Sequence, residues 1–301
     1  MQKIRQHSRQ MVRELDVIRG AYMDTGFTLS QCHVLFELSQ HGSLTLMEIA
    51  DNLLIDKSNT SRTVKKLIEL GVIRADKVQS DSRQKLFSLT KKGEKVLLDT
   101  TSLANNQVHK ALEHLSVEQH EIVTEGLRLY ASALKLSRLQ SAYTIRPIKK
   151  ADDKEVARLI RQVLTEFKAV GEGYSIQDPE VDTMSATYRN AQSCYFVIAT
   201  ETKLVGCGGI APLKGEKKTT CELQKMFLLP EARGIGLGRK LLTLLLNEAT
   251  SRGYEQCYLE TLDRMHRAND LYIRNGFEPL PGSMGATGHC SCDRWYVKQL
   301  S

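Results

Sequence analysis

Three glycines alternate in "RGIGLG" (Gly234, Gly236 and Gly238), behind Arg233 and ahead of the leucine-rich run "LLTLLL" at 241–246. A glycine loop that opens a helix leaves backbone N–H groups unpaired, and with the helix dipole they hold phosphate. No Gly-Lys-Ser/Thr follows, which excludes a Walker loop. A dinucleotide fingerprint competes: a strand precedes, a helix follows, and Glu260 ends the next strand as a ribose-binding acid would. Against it, the spacing is Gly-x-Gly-x-Gly, "PEAR" separates strand from glycines, and only about 40 residues remain after Glu260, too few for that fold.

The whole segment "FLLPEARGIGLGRKLL" resembles the coenzyme-A pyrophosphate loop of the GNAT acetyltransferase superfamily, whose Arg/Gln-x-x-Gly-x-Gly/Ala pattern is met by Arg233, Gly236 and Gly238. The resemblance implies a coenzyme cradle of Arg233, Gly234, Ile235, Gly236, Leu237, Gly238 and Arg239. It runs from "CELQKMFLLP" through "RANDLYIRNGF" and covers roughly residues 143–299. In the last piece Asn269 and Tyr272 stand three apart, on one helical face, where the family turns such a pair to the coenzyme.

By this resemblance acetyl-coenzyme A is the co-substrate and a primary amine the acceptor. The strand before the loop is expected to splay from its neighbour, freeing the backbone of Met226, Phe227 and Leu228 for the pantetheine arm. Tyr272 is the expected proton donor to the leaving sulfur. Glu222, four residues before Met226 and therefore expected on the same strand face, is the candidate base. The loop "GEGYSIQDPEVD" (171–182) carries Glu172, Asp178, Glu180 and Asp182, which favours a cationic acceptor. No metal is expected: "HCSC" lacks a second ligand pair, so His289, Cys290 and Cys292 read as loop residues. Neither Gly-x-Ser-x-Gly nor His-Glu-x-x-His occurs, so acyl-enzyme and zinc-hydrolase chemistry has no support.

The first half has a different grammar. "SLTLMEIADNLLIDKSNTSRTVKKLIELGVIRADKVQSDSRQKLFSLTKKG" reads as helix, turn, helix, strand, charged loop and strand, a winged helix-turn-helix. Its second helix, about Lys57 to Leu70, places Val64, Leu67 and Ile68 on one face. Ser58, Asn59, Thr60, Ser61, Arg62 and Lys65 fall on the other, and they suit base edges and phosphates. "DSRQKLFSLTKKG" resembles the wing of MarR-family regulators, with Asp81, Arg83, Leu89, Thr90 and Gly93 at the family positions. That resemblance covers about residues 5–138. It implies double-stranded DNA as partner, Arg83 reaching the minor groove or phosphates, and a homodimer through helices at 3–23 and 92–138.

These residues must be positioned by two domains, and 301 residues suffice for both. Short β-branched runs alternate with helices after "RLQSAYTIRPIKKADD", which places the boundary near 141. The expected organisation is a mainly α winged helix-turn-helix domain over 1–140. An α+β domain with a central mixed, mostly antiparallel sheet follows over 141–301. Net charge is +7, spread as +4 over 1–140 and +3 over 141–301, so it permits a polyanionic partner without requiring one. Seven scattered cysteines and no apolar signal core read as a reduced, cytoplasmic protein. Three readings compete: an acetyltransferase fused to a DNA-binding regulator, a regulator whose second domain only senses coenzyme A or a metabolite, and a first half whose DNA-binding surface has lapsed and that serves as a dimerisation platform.

Overall fold

The computed structural model describes residues 1–15, 17, 22, 25–78 and 81–300; the side chains of 77, 78 and 81–84 are not among them. The chain divides into two compact units, Met1–Glu125 and Gly126–Ser301. The division falls inside one helix, which runs on to Gln140, and so lies before the boundary near 141 expected from sequence.

The first unit runs α1 (Gln2–Glu14), α2 (Leu29–His41), β1 (Ser43–Thr45), α3 (Leu46–Leu53), α4 (Lys57–Glu69), β2 (Ile73–Val78), β3 (Asp81–Leu89), α5 (Lys91–Leu112) and the start of α6 (Val117–Gln140). Side chains fix the helix starts. Thr28 with Gln31 and Thr45 with Glu48 form reciprocal capping boxes, and Asp56 accepts from the Asn59 N–H at 2.8 Å. Ser116 and Gln119 cap α6 in the same way, as their spacing predicts. The strands form an antiparallel sheet in the order β1-β3-β2, with β2 and β3 as the wing. Val34, Leu35, Leu38, Ile49, Val64, Leu67 and Phe87 fill the core. Ile68, expected there, is exposed, because α4 turns only Val64 and Leu67 inward with Thr60.

The second unit adds β4 (Thr144–Pro147), α7 (Asp153–Glu166), α8 (Met184–Thr187), β5 (Cys194–Ala199), β6 (Leu204–Pro212), β7 (Thr220–Leu228), α9 (Leu237–Ser251), β8 (Gln256–Thr261), α10 (His266–Arg274), β9 (Glu278–Leu280) and β10 (Arg294–Gln299). Its seven strands lie in the order β4-β5-β6-β7-β8-β10-β9. All neighbours are antiparallel except β7 and β8, giving the mixed sheet expected. Helices cover both faces, so β5 is buried along its whole length: Cys194, Phe196 and Ile198 face α9, while Tyr195, Val197 and Ala199 face α7. The buried stripe Leu237, Leu241, Leu242 and Leu245 seats α9, each leucine contributing roughly 1.5–3 kcal/mol by burial.

One irregularity organises this sheet. Cys207 pairs with Phe227 but Gly209 pairs with Gln224, so β7 carries one extra residue there, a β-bulge at Lys225 and Met226. Lys225 has φ +47°, a conformation that a lysine holds only when its surroundings enforce it. Its carbonyl accepts the hydroxyl of buried Tyr195 at 2.9 Å. Tyr195 can lie across β6 because residue 209 is glycine: a methyl group there would stand 2.3 Å from the ring and 2.5 Å from the Cys194 carbonyl.

The bulge overturns one expectation. Glu222 and Met226, four apart, do not share a face, because the extra residue inverts the alternation. Cys221 and Leu223 pack with Met226 and Leu228 against α9, whereas Phe227 packs toward α7. Gly209→Ala is therefore expected to cost at least about 2 kcal/mol, the usual scale of overpacking a tight core. Chemical denaturation with an unchanged midpoint would show that Tyr195 does not hold the bulge through this gap.

Candidate active site and nucleic-acid interface

Strands β7 and β8 pair only over Thr220–Glu222 and Gln256–Tyr258. Beyond that point β7 continues to Leu228 without β8, which turns its other edge to β10. The strands part as the resemblance implies, and the backbone of Met226, Phe227 and Leu228 flanks the gap. The chain then passes through a helical turn at Pro230–Ala232 to the glycine loop. Gly234 and Gly236 have φ +78° and +79°, the left-handed region that favours glycine. Gly236 is the N-cap of α9 and supplies no side chain to the helix end. The N–H groups of Leu237, Gly238 and Arg239 therefore head a 15-residue helix without a side-chain cap.

Arg239 is exposed beside them and makes no ion pair among the described residues. A Cβ on Gly238 would make only an ordinary 3.5 Å contact with Leu271, so packing within the chain does not call for glycine there. Ile235 offers its carbonyl to Gln140 Nε2 at 2.8 Å. Arg233 turns its side chain away from the loop: Nε donates to the Leu228 carbonyl, the guanidinium grips Glu166 at 2.6 and 2.7 Å, and it covers the Phe167 ring. Its side chain anchors the loop to α7.

Asn269 and Tyr272 lie on α10, both buried. The Asn269 amide nitrogen ties the β8–α10 turn by donating to the carbonyls of Leu262, Asp263 and Met265. Among the described residues its Oδ1 is buried without a partner. Tyr272 packs against Phe277 and Tyr296, with ring centroids 5.8 and 6.2 Å away, on the α9 face of the sheet. Burial raises its phenol pKa, which keeps the proton in place. Among the described residues its hydroxyl makes no hydrogen bond.

Glu222 occupies the opposite face and is only 5% exposed. Gln224 donates to it at 2.6 Å and accepts from the Tyr188 hydroxyl at 2.5 Å. Glu260 lies beside it, accepting from Tyr258 at 2.7 Å and from Thr287 at 3.0 Å. His289 completes the group, with ligand atoms of Glu222, Glu260 and His289 all within 4.8 Å of one another. The other ring nitrogen of His289 bonds Asp178 at 3.1 Å, and Asp178 also pairs with the buried Lys225 ammonium at 2.7 Å. Glu180 is the second partner of Lys225 at 3.1 Å. Burial raises the Glu222 pKa, and the Asp178 hydrogen bond raises that of His289.

Sequence reasoning placed Glu222 and the acidic loop here but missed Lys225, and it read His289 as an ordinary loop residue. Three segments far apart in sequence supply Asp178, Glu222 and His289, so no spacing could have joined them. Asp182 pairs with Arg161 and stands outside the cluster. Cys290 is exposed, and Cys292 is half-buried with its thiol pushed up to about 12 by burial.

In the first unit, Ser58, Asn59, Ser61, Arg62 and Lys65 are exposed along α4. Arg62 donates to the Asn59 side chain, which donates in turn to Asp56, so the start of the helix presents an ordered polar edge. Thr60 is a correction. It is fully buried with its hydroxyl on the Asp56 carbonyl at 2.9 Å, one helical turn from Val64, and cannot reach DNA. Arg83 lies on β3 of the wing, and its side chain is outside the described residues, as is that of Asp81.

The comparisons agree with this division. A model of the acetyltransferase (GNAT) family matches residues 158–277, and one of the MarR family matches 25–84. The uncharacterized N-acetyltransferase YjgM of Escherichia coli is 39% identical over 150 residues, half of this chain and 90% of that protein. The uncharacterized HTH-type regulator YfiV of Bacillus subtilis is 27% identical over 114 residues, 38% of this chain and 71% of that one. An acetyltransferase from Salmonella typhimurium, solved with its cofactor acetyl-CoA, is 20% identical with a TM-score of 0.44 over 54% of this chain and 95% of that one. With the glycine loop, the parted strands and the wing in place, the chain belongs to the acetyltransferase (GNAT) family through its second unit and carries a MarR-family domain in its first.

Proposed function

We propose that the second unit moves the acetyl group of acetyl-coenzyme A to a primary amine. The observation that carries this reading is the gap between β7 and β8. It has a buried tyrosine on one sheet face, a buried glutamate on the other, and the glycine loop at the end of the same strand. Acetyl-coenzyme A would supply an activated thioester. Leu237, Gly238 and Arg239 would meet its pyrophosphate, and Asn269 Oδ1 would accept from an amide of its pantetheine arm. Unpaired backbone groups of 226–228 would orient the arm and polarise the carbonyl. Glu222 takes a proton from the acceptor's ammonium on the α7 face, and Tyr272 gives one to sulfur on the α9 face. Four carboxylates, from Asp178, Glu180, Glu222 and Glu260, stand against Lys225 and His289, an excess of negative charge that favours a cationic acceptor. The test is release of free thiol from acetyl-coenzyme A against a panel of amines; coenzyme-A binding without turnover on any of them would leave the sensor reading.

For the first unit we propose binding to double-stranded DNA by a cytoplasmic homodimer. The polar edge of α4 supports the first part. Exposed apolar residues on α1 (Ile4, Met11, Val12) and at its C-cap (Leu15), and on α5 (Leu98, Leu103, Val108), support the second, because bare helix faces of this kind are normally covered. Among the described residues no helix is long and apolar enough to cross a membrane.

Two predictions follow from these sites. Tyr272→Phe is expected to lower turnover by roughly 10²-fold with little change in acetyl-coenzyme A affinity, since only a transition-state contact is lost. Glu222 acts as a base only when ionised, and burial raises its pKa. The acid limb of kcat/KM is therefore expected above the ordinary carboxylate value, and activity is lost as pH falls through it. Glu222→Gln should slow the reaction most between that acid limb and the pH at which the free amine already dominates, and little on either side. Full turnover by Tyr272→Phe on a confirmed substrate would assign the proton to another group.

For DNA, Arg62→Ala and Arg83→Ala should each weaken binding to a pseudo-palindromic duplex. If Arg83 meets phosphate, its loss flattens the salt slope by about one. Thr60→Val, at the buried position, should leave the slope unchanged. Fluorescence anisotropy at several salt concentrations measures all three, and absence of duplex binding at low salt would leave the first unit as a dimerisation platform.

A further inference from the structure

A second cavity in the C-terminal unit has no part in the reaction above. It measures about 550 Å³ and lies beside the first residues of β5, with Lys149, Lys150, Arg189, Ser193 and Arg252 in its lining. Its charge is one-sided. Glu248 is the one acid among the lining side chains, and it is paired with Arg252. Lys149, Lys150 and Arg189 are exposed and make no ion pair among the described residues. Among the described residues two polar atoms in the lining are buried without a partner, Ser193 Oγ and Arg252 Nε. Ser193 is 4% exposed, so water does not readily replace the missing bond.

The chemistry of the vacant groups defines what they would take. A guanidinium Nε–H can only donate, and a serine hydroxyl can donate as well. Leaving such donors buried and unmatched costs free energy, which a ligand carrying acceptor oxygens would recover. The surrounding cations require that ligand to be negative. Helix α9 ends here and presents carbonyl groups, but Arg252 Nη1 already covers the Glu248 carbonyl at 3.0 Å, which blunts the negative end of the helix. The glycine loop is at the other end of that 15-residue helix, about 22 Å away by helical rise. The two sites cannot be filled by one phosphate group.

We infer that this cavity is a binding site for a small oxyanion, the phosphate or carboxylate group of a metabolite, held by Arg189, Arg252, Ser193 and the Lys149–Lys150 pair. The inference is independent of the transferase reading. It is tested by calorimetric titration of the full chain with inorganic phosphate and, separately, with citrate, in a buffer free of other oxyanions. Saturable binding of at least one is expected, and which one binds identifies the group. Arg189→Glu should weaken it more than about tenfold and Ser193→Ala by about tenfold, the scale of a hydrogen bond to a charged group. Ser193→Ala should not lower the ligand-free melting temperature, because its hydroxyl has no bond to lose. Gly238→Val, at the far end of α9, should not alter the affinity. No saturable binding of either anion at millimolar concentration would overturn the inference. So would binding that survives both pocket substitutions but is lost in Gly238→Val, which would place the anion at the glycine loop.

Discussion

The hydroxyl of Tyr195 reaches across β6 to the carbonyl of Lys225 and holds one extra residue in β7. Side chains on a strand alternate faces, so an inserted residue exchanges the faces of everything beyond it. Without the bulge, Glu222 and Met226 would point the same way. With it, the residues nearest the glycine loop turn their side chains to α9 and α7 in the opposite sense from those at 221–224. Glu222 is thereby left on the α7 face, while Tyr272 packs on the α9 face. In the proposed transfer the two faces would serve separate proton transfers, one at the amine and one at sulfur.

The same bulge brings a lysine into the α7 layer. Burying an ammonium is costly unless it is paired and hydrogen-bonded, and Lys225 has both Asp178 and Glu180. Those acids come from the loop between α7 and α8, which the lysine therefore ties to β7. Asp178 also orients His289, which fixes the loop between β9 and β10 over Glu260. Three segments meet through charge pairs as well as through apolar contacts of Ile176, Val181, Phe227 and Cys292. The cost of such pairs is recovered as geometry: removing Lys225 leaves both Asp178 and Glu180 without their ammonium.

The winged unit divides polar and apolar residues more simply. Helix α4 starts on Asp56 and keeps its exposed polar residues ordered through the Asp56–Asn59–Arg62 chain, while Val64 and Leu67 hold it to the core. Thr60 belongs with the latter pair. Its hydroxyl closes on a carbonyl of the preceding turn, a bond that lets a small polar residue sit in an apolar layer.

Much of this was legible in the sequence because it rests on local rules. Alternate glycines ahead of leucines at helical spacing set the loop and α9, since positive φ and an apolar stripe are properties of consecutive residues. Ser116 with Gln119 fixed the start of α6, and Asn269 with Tyr272 fell on one face of α10 because a helix has a fixed period. Tertiary structure alone decided the rest. The bulge depends on a tyrosine thirty residues from Lys225 and on room made by Gly209, so counting along β7 put Glu222 and Met226 on one face when they lie on two. Arg233 reads as part of the loop, but only packing against α7 gives it Glu166. His289 meets Asp178 from 111 residues away, and a hydrogen bond between such distant segments leaves no periodic trace in the chain.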